Sequence, residues 1–122
     1  MTVQQALTRL QELRPGEMSE ADALRALRQL DGTAVCEIFC RYEGGTTVLP
    51  VYTAQNKTDE LLIPAPYEEV YERYLVTRLE AASGDAVRYN NAFSRFRALY
   101  DDFAAHYNRT HTARCASFRL GG

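Results

Sequence analysis

The chain has 122 residues, enough for one domain with its own hydrophobic core but not for two. Apolar residues make up 46% and charged residues 25%, a balance typical of globular proteins and not of disordered ones. The formal charge of −2 argues against a protein that binds nucleic acid by neutralising phosphates, because that requires a clear basic excess.

The start of the sequence, MTVQQALTRLQELRPG, lacks the basic first residues and apolar middle of a signal peptide. No apolar run approaches the ~18 residues that a membrane span requires. We therefore expect a chain made in a reducing cytoplasm, without a membrane partner. The three cysteines, Cys36, Cys40 and Cys115, are an odd number and cannot form a complete disulfide framework.

Two helices are predicted in the first third of the chain. The segment QQALTRLQEL has apolar residues at helical spacing, and the RPG at 14–16 ends it. Ser19, followed three residues later by Asp22, can cap a second helix of about 20 residues. Gly32 lies inside that helix and weakens it by roughly 1 kcal/mol relative to alanine.

The helical period is lost between residues 43 and 60, in the segment EGGTTVLPVYTAQNKTDE. Val48, Val51 and Tyr52 favour a short strand or hairpin arm, and Pro50 restricts it to the edge of a sheet. This stretch is predicted to be the most extended part of the domain.

Two more helical patterns follow. Pro66 is predicted as the first residue of a third helix, since its fixed φ suits that position, and the helix continues to Ser83. Gly84 and Asp85 then allow a turn between two helices or a weak point within one long helix, and we favour the turn. The last helical stretch has an aromatic stripe at alternating steps of three and four, consisting of Tyr89, Phe93, Phe96, Tyr100, Phe103 and Tyr107.

The predicted fold is mainly α: a small bundle of about four helices with one extended β-like arm or hairpin. It occupies residues 1–108 as a single domain, with the arm at about 43–60. Residues 109–122 form a C-terminal tail with three arginines and no acidic residue. The tail is either a basic peptide that docks on a neighbouring molecule or a disordered end.

The sequence gives little support for a catalytic or metal site. Cys36 and Cys40 share a helix face, and His106 and His111 could complete four ligands, but this spacing is unusual for structural zinc. Both histidines lie at or beyond the end of the last helix, a poor place for a preorganised catalytic base. We predict no enzyme activity, no cofactor and no metal.

The tyrosines of the second half favour protein contacts. We expect Phe93, Phe96 and Phe103 to belong to the helical core. A tyrosine hydroxyl needs a partner when buried, and Tyr67, Tyr71, Tyr74, Tyr89 and Tyr107 exceed what one small core satisfies comfortably. Tyr71 and Tyr74 are expected toward the core and Tyr67 near a subunit boundary.

Residues 60–111 also resemble a region of small virion proteins of tailed bacteriophages and prophages, of the head-tail connector (adaptor) type. The segments PAPYEEVYERYL, GDAVRYNNAF and FAAHYNRTH carry this resemblance. It implies a mainly helical, non-enzymatic subunit that forms a ring of about a dozen copies under the portal and extends the DNA channel. The implied location is the virion neck, after synthesis in the bacterial cytoplasm.

The resemblance also implies partners: further copies of the chain, the portal protein and a downstream neck or tail protein, with DNA only as passing cargo. An extended arm and the terminal segments grip neighbours in such proteins, a role that falls by position to residues 43–60 and 109–122. Asp101 and Asp102 are candidates to line the channel. The alternative function is a small phage-encoded helical protein that binds and inhibits a host protein.

Eleven residues are the resulting candidates for contacts between subunits. They are Tyr52, Tyr67, Tyr71, Tyr89, Asn90, Asn91, Arg95, Tyr107, Arg114, Phe118 and Arg119.

Overall fold

A computed structural model describes residues 1–114 of the chain. Four α-helices make up most of it: α1 (Val3–Leu13), α2 (Glu20–Glu37), α3 (Glu69–Ser83) and α4 (Ala86–Thr110). A single 3₁₀ turn, Phe39–Arg41, follows α2. The prediction of a mainly α protein with about four helices is confirmed.

Three of the helices begin at side-chain caps. Thr2 and Gln5 form a capping box at α1, and the Ser19 hydroxyl accepts from the Asp22 N–H at the start of α2. Asp85 Oδ1 accepts from two backbone N–H groups at the start of α4. Gly84 ends α3 in the left-handed region, with a φ of 81°, which an L side chain rarely adopts. The chain therefore turns at Gly84–Asp85, as favoured, and α3 and α4 form a helical hairpin.

The start of α3 differs from the prediction. Pro66 follows a cis peptide bond, and the Tyr67 N–H donates to the Pro64 carbonyl oxygen at 2.9 Å. This hydrogen bond closes a turn that includes Pro66, so Pro66 is not the first residue of the helix. The helix consequently begins at Glu69, three residues later than expected.

The predicted β-like arm is not seen as a strand. Within residues 1–114 the extended pairings are two isolated antiparallel bridges, Thr2 with Glu60 and Tyr42 with Ala113. Residues 43–59, between these two bridges, are irregular. β-branched residues favour a strand only when a neighbouring strand supplies the ladder, and here neither bridge extends.

The core is centred on α3, which packs against the other three helices. Its buried residues Val70, Tyr71 and Leu75 belong to the same hydrophobic cluster as Leu27 of α2 and Ile63, which precedes α3. α4 contributes buried residues only from Phe96 onward, namely Phe96, Tyr100, Phe103 and Tyr107. It ends at Thr110, two residues beyond the predicted domain boundary at 108.

The hairpin tip consequently projects beyond this core. Residues 81–88 are all exposed, and Phe93, which was predicted to be in the core, is 41% exposed. The prediction was wrong for Phe93 because the apolar stripe of α4 is longer than the body it packs on. No helix within residues 1–114 is long and apolar enough to cross a membrane.

Candidate subunit-contact surfaces

The carboxylate of Asp31 lies in the core, with an exposed fraction of 0%. Its Oδ2 accepts from the Tyr52 hydroxyl at 2.5 Å and from the Leu62 N–H at 3.1 Å. Its Oδ1 accepts from the Tyr71 hydroxyl at 2.5 Å. Three donors therefore compensate the burial of one charged group, as a buried carboxylate requires.

The Tyr71 hydroxyl also accepts from the Ile63 N–H at 2.7 Å, so the group of hydrogen bonds continues into the segment before α3. Burial raises the pKa of Asp31 above its usual range, although the three hydrogen bonds act in the opposite direction. The pKa values of Tyr52 and Tyr71 are raised, mainly by burial and secondly by the nearby Asp31 carboxylate. This arrangement fixes residues 52–63 against α2 and α3; its role is structural.

The arm between residues 45 and 52 carries exposed apolar side chains. Val48, Leu49 and Val51 have exposed fractions of 72, 58 and 54%. Leu49 passes over α2, where its Cδ2 would be 4.0 Å from a Cβ placed on Gly32. We call these three residues the arm row. They form an apolar surface on a segment whose far end is fixed by Tyr52.

The near end of the arm is fixed by Arg114. Its guanidinium donates to the carbonyl oxygens of Cys40, Tyr42 and Gly45 at 3.1, 2.9 and 3.0 Å. Its backbone N–H donates to the Arg41 carbonyl at 2.8 Å. Arg114 was predicted as a contact to another subunit, whereas these donors bind its own chain.

Three of the tyrosines proposed as subunit contacts are buried within the subunit. Tyr52, Tyr71 and Tyr107 have exposed fractions of 7, 0 and 9%. Tyr107 stacks on His111 with 3.6 Å between ring centroids and meets Phe39 edge-on. The subunit-contact prediction is corrected for all three, because their side chains belong to the core. For Tyr71 this placement confirms the expectation that it lies toward the core.

Carboxylates of α2 accept hydrogen bonds from three tyrosine hydroxyls, more than was expected of one small core. Asp31 accepts two of them, and Glu37 accepts the Tyr100 hydroxyl at 2.7 Å. As a charged residue, Asp31 was predicted to lie off the apolar face of α2, and this prediction was wrong. A signal existed, because it follows Leu27 by four residues and Leu24 by seven and so lies on the apolar face of α2.

Tyr67 and Tyr74 are half-buried. The Tyr67 ring lies 5.4 Å from that of Phe103, and the Tyr74 ring lies 5.1 Å from that of Phe96. Both tyrosines therefore pack on α4 with one part of the ring and leave another part exposed.

The remaining candidates within residues 1–114 lie on the projecting half of α4. Asn90, Asn91 and Arg95 are exposed, and Tyr89 is half-buried. Asn91 and Arg95 border a polar cleft of about 550 Å³ between α3 and α4. Tyr89 lies on the other side, in an apolar groove of about 510 Å³. The structure thus divides these candidates between two faces of the hairpin.

Glu80 is buried beneath the polar cleft, with an exposed fraction of 6%. Its Oε2 accepts from Arg88 Nε at 2.9 Å. Its Oε1 has no hydrogen-bond partner within residues 1–114 and lies 3.7 Å from Arg14 Nη2. Two arginines from different elements therefore hold one carboxylate at the base of the hairpin.

Phe118 and Arg119, the last two candidates, lie outside the described residues, as does Cys115. Asp101 and Asp102 are exposed on α4. Across residues 1–114 no group of three or more histidine, cysteine, aspartate or glutamate side chains is arranged to hold a metal ion. Comparison with protein-family models, curated proteins and solved structures gives no match for this chain.

Proposed function

We propose that the chain is a head-tail connector (adaptor) subunit of a tailed bacteriophage or prophage. In this role it is a non-enzymatic virion protein of the neck. Copies of it assemble into a ring of about a dozen under the portal, extend the DNA channel, and meet a downstream neck or tail protein at the far side. The resemblance of residues 60–111 motivates the proposal, and this range includes the whole α3–α4 hairpin.

The observation that carries the proposal is the arm row. Val48, Leu49 and Val51 expose large apolar side chains on a segment whose two ends are fixed by Arg114 and Tyr52. Clustered exposed apolar side chains of this kind mark protein-protein contacts in soluble proteins. Leu49 of the arm lies near Gly32 of α2, whereas the exposed hairpin tip, residues 81–88, lies where α3 turns into α4. Contact surfaces on different parts of one subunit suit the head-to-tail repetition that builds rings.

The charge distribution is compatible with a conduit. The formal charge is −2, and Asp101 and Asp102 are exposed on α4. A channel wall without a basic excess lets DNA pass, because it does not neutralise the phosphates and hold them.

The test is co-assembly with the portal protein encoded near this gene. We expect electron microscopy of the co-expressed proteins to show a ring of this chain on the portal. Replacing the arm row together (Val48→Ser, Leu49→Ser, Val51→Ser) should abolish the ring while the subunit still folds. Leu13→Ser is the control, since Leu13 is also partly exposed, at 38%, but lies at the end of α1.

Failure to co-assemble with the portal would contradict the proposal. If the chain instead captured one host protein and its gene lay beside early regulatory genes, the inhibitor alternative would replace the connector. A gene position beside the capsid and portal genes supports the connector.

A further inference from the structure

We infer that the apolar face of the α3–α4 hairpin is a two-fold contact surface that binds the same surface of a second copy of this chain. This hairpin face consists of Tyr74, Arg78, Ala81, Ala82, Tyr89 and Phe93 and borders the groove of about 510 Å³. It continues to the tip through a second depression of about 360 Å³ bordered by Gly84 and Asp85.

The centre of the hairpin face is apolar and lets another chain approach closely. Ala81 and Ala82 are small and exposed, so a second helix can lie near the α3 backbone there. Phe93 remains 41% exposed although its ring stacks on that of Tyr89, with 6.0 Å between centroids. Covering these aromatic rings removes apolar surface from water, which favours association.

The charges at the two ends of the face are complementary to each other. Arg78 is exposed and forms no salt bridge with a carboxylate within residues 1–114. Asp85 is exposed, and it uses only Oδ1 to cap α4. Oδ2 therefore stays available for a cation at the hairpin tip.

The arrangement of these charges favours a second copy as the occupant. Arg78 borders the groove, Asp85 borders the depression at the hairpin tip, and Ala81 borders both, so the two charges lie on either side of Ala81. When two hairpins lie antiparallel about a two-fold axis at Ala81–Ala82, Arg78 of each copy faces Asp85 of the other. A second copy thus supplies both complementary charges, whereas an unrelated partner would need an acid and a base at the matching separation.

This contact goes beyond the proposed ring. A two-fold contact closes at two copies and leaves the arm row free, so it does not depend on the portal or on a ring. The contacting surface of a hairpin tip is small, and we expect a reversible dimer in the micromolar range.

The test is sedimentation velocity of the free, full-length chain over a range of concentrations, with a reductant because Cys36 is exposed. We expect a monomer-dimer equilibrium. Ala82→Arg should abolish the dimer by placing a bulky charge at the axis. Ala105→Arg is the matched control, since Ala105 is exposed on the other half of α4, and this variant should dimerise like wild type.

The charge pairs have their own variants. Arg78→Glu should raise the dissociation constant by about tenfold, because it replaces two attractions by two repulsions. Asp85→Asn should weaken the dimer less, and it keeps α4 capped because asparagine is an equally good cap.

A wild-type chain that stays monomeric at every concentration would overturn the inference. So would a dimer that Ala82→Arg and Ala105→Arg affect equally, with both variants folded as judged by circular dichroism. If Ala82→Arg leaves the dimer unchanged and still forms a ring with the portal protein, this contact is overturned and the connector is supported. The two proposals can therefore fail separately.

Discussion

The hydroxyl of Tyr71 on α3 donates to Oδ1 of Asp31 on α2 at 2.5 Å, across 40 positions of the sequence. The other carboxylate oxygen accepts from Tyr52, at the far end of the arm, and from the Leu62 N–H. One buried carboxylate therefore joins two helices to the segment whose exposed row we propose as a subunit contact. The position of the arm row depends on this group of hydrogen bonds.

Removing either tyrosine hydroxyl should destabilise the fold, and Tyr71 should matter more. Tyr52→Phe removes one donor from Asp31, which should cost about 1–3 kcal/mol of unfolding free energy. Tyr71→Phe removes a donor from Asp31 and also leaves the Ile63 N–H without its acceptor, so the loss should be larger. Urea denaturation at neutral pH measures both.

Tyr89→Phe is the matched control for these variants, because Tyr89 is half-buried and its hydroxyl makes no hydrogen bond within residues 1–114. Its stability should stay within about 0.5 kcal/mol of wild type. Equal effects of Tyr71→Phe and Tyr89→Phe would show that the buried hydrogen bonds do not stabilise the subunit.

Asp31 should make stability depend on pH in an identifiable direction. Burial raises the pKa of its carboxyl in the folded chain above the ordinary value of 3.8. Between these two pKa values the folded state binds more protons than the unfolded state, so the stability that Asp31 contributes falls as pH rises. The stability that Asp31 contributes is fully present below pH 3.8 and is lost as pH rises through the raised pKa of the folded chain.

The measurement is the difference in unfolding free energy between wild type and Asp31→Asn, determined by denaturation over a series of pH values. Carboxylates elsewhere, such as Glu17, whose pKa is lowered by Arg14, act in both proteins and cancel in the difference. We expect wild type to lose stability relative to the variant as pH rises from below 3.8. A difference that grows with pH would mean that the hydrogen bonds to the carboxylate outweigh its burial.

Much of the helical architecture follows from local signals. Ser19 and Asp85 cap the helices that begin after them, and Gly84 takes the left-handed conformation that ends α3. Each of these effects involves residues within one turn of each other, so the sequence alone contains them. Pro66 misled the prediction because a turn from Pro64 to Tyr67 competes with helix initiation there.

The candidate surfaces were harder to predict because they depend on contacts between distant residues. Tyr52, which was predicted at a subunit surface, is buried with its hydroxyl donating to Asp31, 21 positions away in the sequence. Phe93 repeats the apolar spacing of Phe96, yet it is exposed because the body ends short of the hairpin tip. Periodicity identifies an apolar face, but the length of the partner decides which part of it is covered.

Two glycines should respond in opposite directions to alanine. A Cβ on Gly45 would lie 1.9 Å from the Phe39 carbonyl oxygen, which is backbone and cannot move aside, so Gly45→Ala should displace the start of the arm. A Cβ on Gly32 would meet only Leu49 Cδ2, at 4.0 Å. Gly32→Ala should therefore stabilise α2 by up to about 1 kcal/mol through helix propensity.

Thermal denaturation of both variants checks this pair, and each serves as the control for the other. We expect the melting temperature to fall for Gly45→Ala and to rise for Gly32→Ala. A Gly45→Ala variant as stable as wild type would mean that the arm does not pack on the 3₁₀ turn as closely as the structure shows.

Arg114 should control the local opening of the arm base more than global stability. Arg114→Ala removes three charge-assisted hydrogen bonds to the carbonyls of Cys40, Tyr42 and Gly45. Because Arg114 is exposed, the loss of unfolding free energy should be only about 1 kcal/mol. The Glu43 N–H, which donates to the Thr112 carbonyl at 2.9 Å, should exchange with deuterium faster in the variant.

Hydrogen exchange read by mass spectrometry measures this opening, with peptides that cover residues 41–46 and, for comparison, the core of α3. Arg109→Ala is the control, since Arg109 is exposed and its side chain makes no hydrogen bond within residues 1–114. Exchange that rises equally in both peptides would indicate global destabilisation, and Arg114 would then not be a local anchor. Exchange that rises only at the arm base, with Arg109→Ala like wild type, is the result that the three carbonyl contacts predict.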